Sequence, residues 1–161
     1  VEECKVVIAC DNPSSVNSYL LANNVNTENV EYLNVSTNSI WMRDYGQNTV
    51  YKNYVDSIYL VDWIYNRPRP SDDVFPEALA DFLNINLYQT SESPYQIVAT
   101  GGNFMSDGFG TAFSSNLVLD ENDGTGPYGG VFYPNHTEEE IDNIMNQFMG
   151  INNYIKMGTS I

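Results

Sequence analysis

All three arginines of this chain fall in two short motifs, and both motifs carry residue types suited to holding planar ions. The first is Trp41-Met42-Arg43-Asp44-Tyr45-Gly46, expected at the start of a strand or loop. A carboxylate such as Asp44 accepts two parallel N–H bonds from a guanidinium, and a ring such as Trp41 can cover the face of that cation. The same residues also fit an internal Arg43–Asp44 contact or a surface pair. The second motif is Asn66-Arg67-Pro68-Arg69-Pro70. Each proline fixes its own φ and pushes the residue before it toward extended geometry. In an extended segment residues i and i+2 point the same way. Arg67 and Arg69 can therefore clamp a carboxylate or phosphate, or lie in a solvated loop.

A third segment, Gly101-Gly102-Asn103-Phe104-Met105-Ser106-Asp107-Gly108, lacks the spacing of a phosphate-binding loop or a dinucleotide fingerprint. Its paired glycines after a strand suit a bend or a close backbone approach, with Asn103 and Asp107 able to face a site. The single histidine, His136, directly precedes a helix cap and reads as a surface residue. No Cys/His cluster has zinc spacing. Asp120 to Gly130 contains an Asp-Glu-Asn-Asp-Gly run, but its glycine comes one place early for a calcium loop and the twelfth-position Glu is missing. It reads as a turn. No metal and no cofactor are expected.

The elements that must position these residues follow from periodicity. Lys5 to Ala9 reads as a short buried strand. Asp11-Asn12-Pro13 opens a helix with Val16, Tyr19, Leu20 and Asn23 on one face. Val30 to Val35 is strand-like, and Gln47 to Lys52 with Ser57 to Trp63 form a hairpin around Asn53-Tyr54. Ser71 or Asp72 caps a helix through Phe75 to Leu83, with Leu79, Phe82 and Leu83 inward. Gln96 to Thr100 and Ala112 to Leu119 are strands. Thr137 and Glu140 form a capping box for a helix whose apolar face is Ile141, Ile144, Met145, Phe148 and Met149, stopped by Gly150. This order suggests an α/β fold of repeated β/α units around a shared core, without a strict sequence repeat.

The 161 residues amount to one domain, long enough to bury a core. With 42% hydrophobic and 17% charged residues the chain fits a folded protein rather than a disordered one. The net charge of −15 argues against nucleic acid and anionic membranes as partners; it either attracts cationic ligands or simply serves solubility. No apolar run approaches the roughly 20 residues of a membrane span. Cys4 and Cys10 flank the first strand, which separates them by roughly 20 Å. A disulfide needs Cα atoms within about 7 Å, so they cannot pair with each other. Cys10 reads as a packed thiol rather than a nucleophile. Asn34-Val-Ser36 and Asn135-His-Thr137 are glycosylation sequons of a kind frequent by chance in an Asn-rich chain.

Taken together, Trp41-Met-Arg-Asp44-Tyr, Tyr65-Asn-Arg67-Pro-Arg69-Pro and Gly101-Gly-Asn103-Phe-Met-Ser-Asp107-Gly resemble the bacterial, Porphyromonas-type peptidylarginine deiminases and their agmatine deiminase relatives. The order and approximate spacing match from about Lys5 to Ile155. The resemblance implies a pentein-type α/β propeller, five-bladed in the full family, with two to three blades here. It implies hydrolysis of a guanidinium to a ureido group with release of ammonia, through a Cys thiolate and a proton-transferring His. Asp44 matches the guanidinium-binding catalytic carboxylate and Trp41 the pocket wall. Arg67 and Arg69 match the pair that binds the α-carboxylate of a C-terminal arginine, which favours peptidylarginine over agmatine as substrate. Arg43, Gly101, Gly102, Asn103 and Asp107 are assigned to scaffolding of the site.

The family's downstream His-x-Asp motif and its nucleophilic Cys have no counterpart in these residues. Residues 1–161 are therefore expected to be a partial pentein domain, incomplete at both ends and inactive alone. An open propeller edge would be expected to pair with the missing part or with another copy. A secreted or cell-surface location is favoured. The competing readings are an agmatine deiminase, a non-catalytic module that binds arginine groups or glycans, and a propeller relative that has lost catalysis.

Overall fold

A computed structural model describes residues 4–52 and 55–158. The described residues form three small sheets joined by helical crossovers. In the first, β1 (Val6–Cys10) and β2 (Val30–Asn34) run parallel, joined by α1 (Pro13–Ala22). Asn12 caps α1 by accepting from the Ser15 N–H at 3.0 Å, and Pro13 occupies the first turn, where its missing N–H costs nothing. The expected inward face of α1 is realised only in part: Val16 and Leu20 are half-buried, Tyr19 is not. No residue of α1 is buried and Tyr19 is 69% exposed, with α1 lying against a sheet of only two strands. Likewise β1 is half-buried rather than buried.

The second sheet is built on β4 (Ser57–Tyr65), longer than the expected strand by two residues. On one side it pairs antiparallel with β3 (Asn48–Lys52). The expected turn residues Asn53 and Tyr54 lie outside the described residues. On the other side β5 (Leu87–Thr90) runs parallel to Leu60–Trp63, and β6 (Val98–Ala99) continues that edge beside Ile64 and Tyr65. The expected strand Gln96 to Thr100 thus shrinks to two residues. Asn122 takes over its edge, accepting from Val98 N–H at 2.8 Å and donating to Val98 C=O at 2.8 Å.

The crossover from β4 to β5 carries α3 (Pro70–Asp73) and α4 (Phe75–Leu83). Neither Ser71 nor Asp72 caps α4, whose entry residue is Val74. Its buried residues are Phe75, Pro76 and Ala80, while Phe82 and Leu83 face outward. Leu79, expected inward, is half-buried against the smaller core, and the helix begins at Phe75.

The third sheet repeats the pattern. A 3-10 turn at Gly101–Asn103 leads into β7 (Met105–Ser106), antiparallel to β8 (Thr111–Ser115), which runs parallel to β9 (Asn153–Met157). The expected strand Ala112 to Leu119 stops at Ser115, whose N–H and hydroxyl both donate to Asn103 Oδ1, and α5 (Leu117–Asp120) follows. The crossover to β9 is α6 (Glu138–Met149), with the Thr137/Glu140 capping box and Gly150 in the left-handed conformation at its end. Ile141, Ile144 and Met145 are buried there, packed with Trp63, Ile97 and Phe104 in the main core. A smaller core joins Leu33, Tyr45, Tyr65 and Phe75.

His136 is not a surface residue. Its side chain is 13% exposed and its Nε2 lies 2.7 Å from the Gln96 carbonyl, so that nitrogen carries the proton and donates. Cys4 and Cys10 are both free thiols, Cys4 exposed and Cys10 half-buried. Asp123 accepts from Thr125 N–H and Oγ1, as expected of a turn.

Candidate functional site

Asp44 sits in α2 (Met42–Tyr45), a single helical turn where a strand or loop start was expected. Tyr45 nails this turn to the smaller core. It is 2% exposed and meets Tyr65 and Phe75 edge-on, at centroid distances of 5.9 and 5.6 Å. Its hydroxyl donates to Ser39 C=O at 3.1 Å. The approach to α2 is held by Asp72, which is fully buried. Asp72 Oδ1 accepts from Asn38 N–H at 2.7 Å and Ser39 N–H at 3.1 Å, and Oδ2 accepts from Ser39 Oγ at 2.7 Å. Trp41, 57% exposed, stands between this clamp and α2.

The glycine pair fits against α2 from the other side. A Cβ on Gly101 would overlap the Arg43 carbonyl oxygen, and a Cβ on Gly102 would overlap Asp44 Oδ1. Thr100 Oγ1 donates to Asp44 C=O at 3.3 Å. Arg43 does not pair with Asp44. Its Nη2 donates to Phe104 C=O at 2.9 Å, tying α2 to the segment after the glycines. Asn103 braces the same turn against β8 through Ser115, at 2.9 and 2.8 Å. Asp107 stands apart. It closes the β7–β8 turn by accepting from Phe109 and Thr111 N–H groups, bonds that hold its carboxyl below the usual range. No interaction ties it to Asp44, Arg67 or Arg69.

Beyond Tyr65 the chain bends through Asn66 to Arg69. Arg67 lies over the Tyr128 ring, 4.4 Å from its centroid, and its Nη1 donates to Asn66 C=O at 3.3 Å. Arg69 Nη1 reaches the Tyr65 hydroxyl at 3.5 Å. Both arginines line one cleft of about 470 Å³ together with Tyr65, Val131 and Phe132. Among the described residues neither guanidinium has a carboxylate within 4.0 Å. Burial pushes the Tyr65 phenol above its ordinary range, Arg69 and Arg67 pull it down, and Asp44 pushes it up, so all three charges act on one hydroxyl. Neither cysteine nor His136 lines this cleft.

Beneath the bend lies Glu121, 1% exposed, whose Oε1 accepts from Asn66 Nδ2 at 2.7 Å. Burial pushes its carboxyl up to about 7, against the opposing Asn66 bond and Arg67 charge. Sequence reasoning did not assign Tyr65, Asp72, Glu121 or Tyr128 to the site. Tyr65 stood inside the second motif and was within reach. The others carry no periodic or motif signal.

Asp44 and the two arginines thus flank the smaller core at Tyr45 and Tyr65, while neither Asp44 nor Trp41 lines the cleft of Arg67 and Arg69. The family model for Porphyromonas-type peptidyl-arginine deiminase matches residues 1–161. The chain belongs to this family. A protein of Mycoplasma mycoides subsp. mycoides that bears the provisional name agmatine deiminase is 28% identical over 145 residues, covering 83% of this chain and 36% of that protein. The agmatine deiminase of C. jejuni superposes with a TM-score of 0.70 at 19% identity, over 98% of this chain and 42% of that one. A structure of the agmatine deiminase of Enterococcus faecalis gives 0.72 at 20%, over 96% and 40%. These likenesses show a shared α/β deiminase fold. The chain spans well under half the length of the relatives it matches.

Proposed function

We propose that this chain supplies the substrate-gripping part of a guanidine hydrolase. Water replaces one guanidinium nitrogen, leaving a ureido group and ammonia. In this reading Asp44 accepts two N–H bonds from the guanidinium, Trp41 covers its face, and the pentein-type propeller supplies the frame. Arg43, Gly101, Gly102 and Asn103 hold the carboxylate in place, while Asp107 only shapes the neighbouring turn. The resemblance assigns the attacking thiolate and the proton-transferring histidine to residues outside those that line the cleft.

We further propose that the substrate carries a carboxylate, as a peptide ending in arginine does. The observation that carries this is the state of Arg67 and Arg69. In a chain with 21 acidic residues, two guanidinium groups line one cleft with no acid partner. A fork-shaped cation pair without an acid partner suits a planar anion. Agmatine, which has no carboxylate, is the second reading, favoured by the names of the relatives in Mycoplasma mycoides, C. jejuni and Enterococcus faecalis. The full-length protein decides between them when it is assayed for ureido product with an N-blocked C-terminal arginyl peptide and with agmatine. Losing a charged hydrogen-bond donor costs about 1.5–3 kcal/mol, so Arg67→Ala raises the peptide KM by roughly 10- to 150-fold and leaves agmatine unaffected. Equal effects on both substrates remove the carboxylate-binding reading.

A further inference from the structure

Glu121 has no part in that chemistry, and its setting is unusual for a carboxyl group. It follows α5, is 1% exposed, and makes one hydrogen bond, from Asn66. Its second oxygen, Oε2, is fully enclosed and has no partner. Asn66 is equally buried and immediately precedes Arg67 in the bend after β4. Arg67 is near enough for its charge to favour an ionised Glu121, yet it makes no ion pair with it and rests on Tyr128 instead. The other titratable groups facing Glu121 are Asp120 on its own helix and Tyr133 on the returning loop, whose hydroxyl accepts from Tyr128 N–H at 3.3 Å. Among the described residues, Arg67 is thus the one cation acting on this carboxyl group.

A buried carboxylate with an unpaired oxygen has two ways to relieve its desolvation: it binds a proton, or it draws in a cation. We propose that Glu121 is a positioning residue for Arg67: neutral, it leaves Arg67 free to meet a substrate carboxylate, and ionised, it competes for the same guanidinium. The inference rests on the carboxylate-binding role of Arg67 proposed above. Burial places the exchange between the two forms near neutral pH. Substrates with a carboxylate then bind more weakly as pH rises, and guanidino ligands without one do not.

The test uses the full-length protein, with benzoyl-glycyl-arginine as the carboxylate ligand and agmatine as the ligand without one, each read as substrate or competitive inhibitor. One proton is involved, so the ratio of peptide to agmatine constants rises by no more than about tenfold per pH unit, and by about tenfold in all between pH 6 and 8. The catalytic groups act on both ligands and cancel in this ratio. Glu121→Gln, which keeps an acceptor for Asn66, holds the ratio low and flat while kcat keeps its wild-type pH profile. A flat ratio in the wild type overturns the inference without needing any variant. An unchanged slope in Glu121→Gln also overturns it, and leaves the role of Arg67 standing if Arg67→Ala still weakens the peptide selectively. A peptide that neither reacts nor competes, or an Arg67→Ala variant with the wild-type ratio, overturns both.

Discussion

Substituting the two adjacent glycines one at a time separates the fold from the chemistry. Gly102 is exposed and its backbone is outside the left-handed region, so alanine brings no strain of its own. The new Cβ, however, lands on Asp44 Oδ1, with Thr100 Oγ1 4.0 Å away. A carboxylate can yield where a backbone cannot, and it must retreat by about 1 Å to reach ordinary contact. A displacement of about 1 Å in a positioning group costs roughly 10²-fold in rate, equivalent to about 2.7 kcal/mol of transition-state stabilisation. Gly101 is buried and its Cβ would strike the Arg43 carbonyl oxygen, which α2 holds fixed. That overlap is relieved only by moving the turn, at about 1–3 kcal/mol of stability. In the full-length protein, Gly102→Ala should therefore lower kcat/KM for ureido formation about 10²-fold at an unchanged melting temperature. Gly101→Ala should lower the melting temperature. Gly129→Ala, whose Cβ meets nothing within 4 Å, serves as the control and should change neither. Wild-type kcat/KM in Gly102→Ala, or equal losses of stability in both variants of the pair, would refute the placement of Asp44 against Gly102.

Three further outcomes are expected. Asn122→Ala removes three buried hydrogen bonds, to Val98 N–H, Val98 C=O and Val118 C=O. It should cost about 3 kcal/mol in denaturant unfolding, at roughly 1 kcal/mol for each bond. Asp72→Ala frees Asn38 and Ser39 and should speed amide exchange there, at a cost of about 3 kcal/mol. Burial raises the Asp62 carboxyl to about 8, so between its unfolded value near 4 and that pH the folded protein holds the extra proton. This contribution to stability is then full below about pH 4 and is lost as pH rises toward 8, by at most about 6 kcal/mol, with Glu121 adding in the same direction. Melting temperatures should be higher at pH 6 than at pH 8.5, and Asp62→Asn should flatten the curve.

Local signals carried much of this fold. The Thr137/Glu140 box and the Ile141–Ile144–Met145 stripe need only one helix to be read, and the structure keeps both. The Asn12-Pro13 start of α1 is equally local, but the face of α1 is not, because burial depends on what packs over it. The run from Ala112 to Leu119 is apolar at both ends around Ser114, Ser115 and Asn116, and periodicity alone cannot tell strand from helix there. What ends β8 at Ser115 is a side chain twelve residues earlier, Asn103. The motif residues of the site were legible as types: an acid beside Trp41, two arginines among prolines, paired glycines. Their meeting was not. The buried carboxyls Asp72 and Glu121 find their partners 34 and 55 residues away, and a polar residue in a loop gives no sign that it will be enclosed.

The most direct test of the proposed function is turnover by the full-length protein with Asp44 intact and with Asp44→Asn. A guanidinium loses one of its two acceptor oxygens in the variant, and the charge pairing with half-buried Asp44 is lost with it. Mass spectrometry of an N-blocked arginyl peptide and of agmatine, each incubated with both proteins, should show ureido product from at least one substrate with the wild type. The Asp44→Asn rate on that substrate should fall by roughly 10²-fold or more. No ureido product from either substrate, or an Asp44→Asn protein as fast as the wild type, would contradict the account.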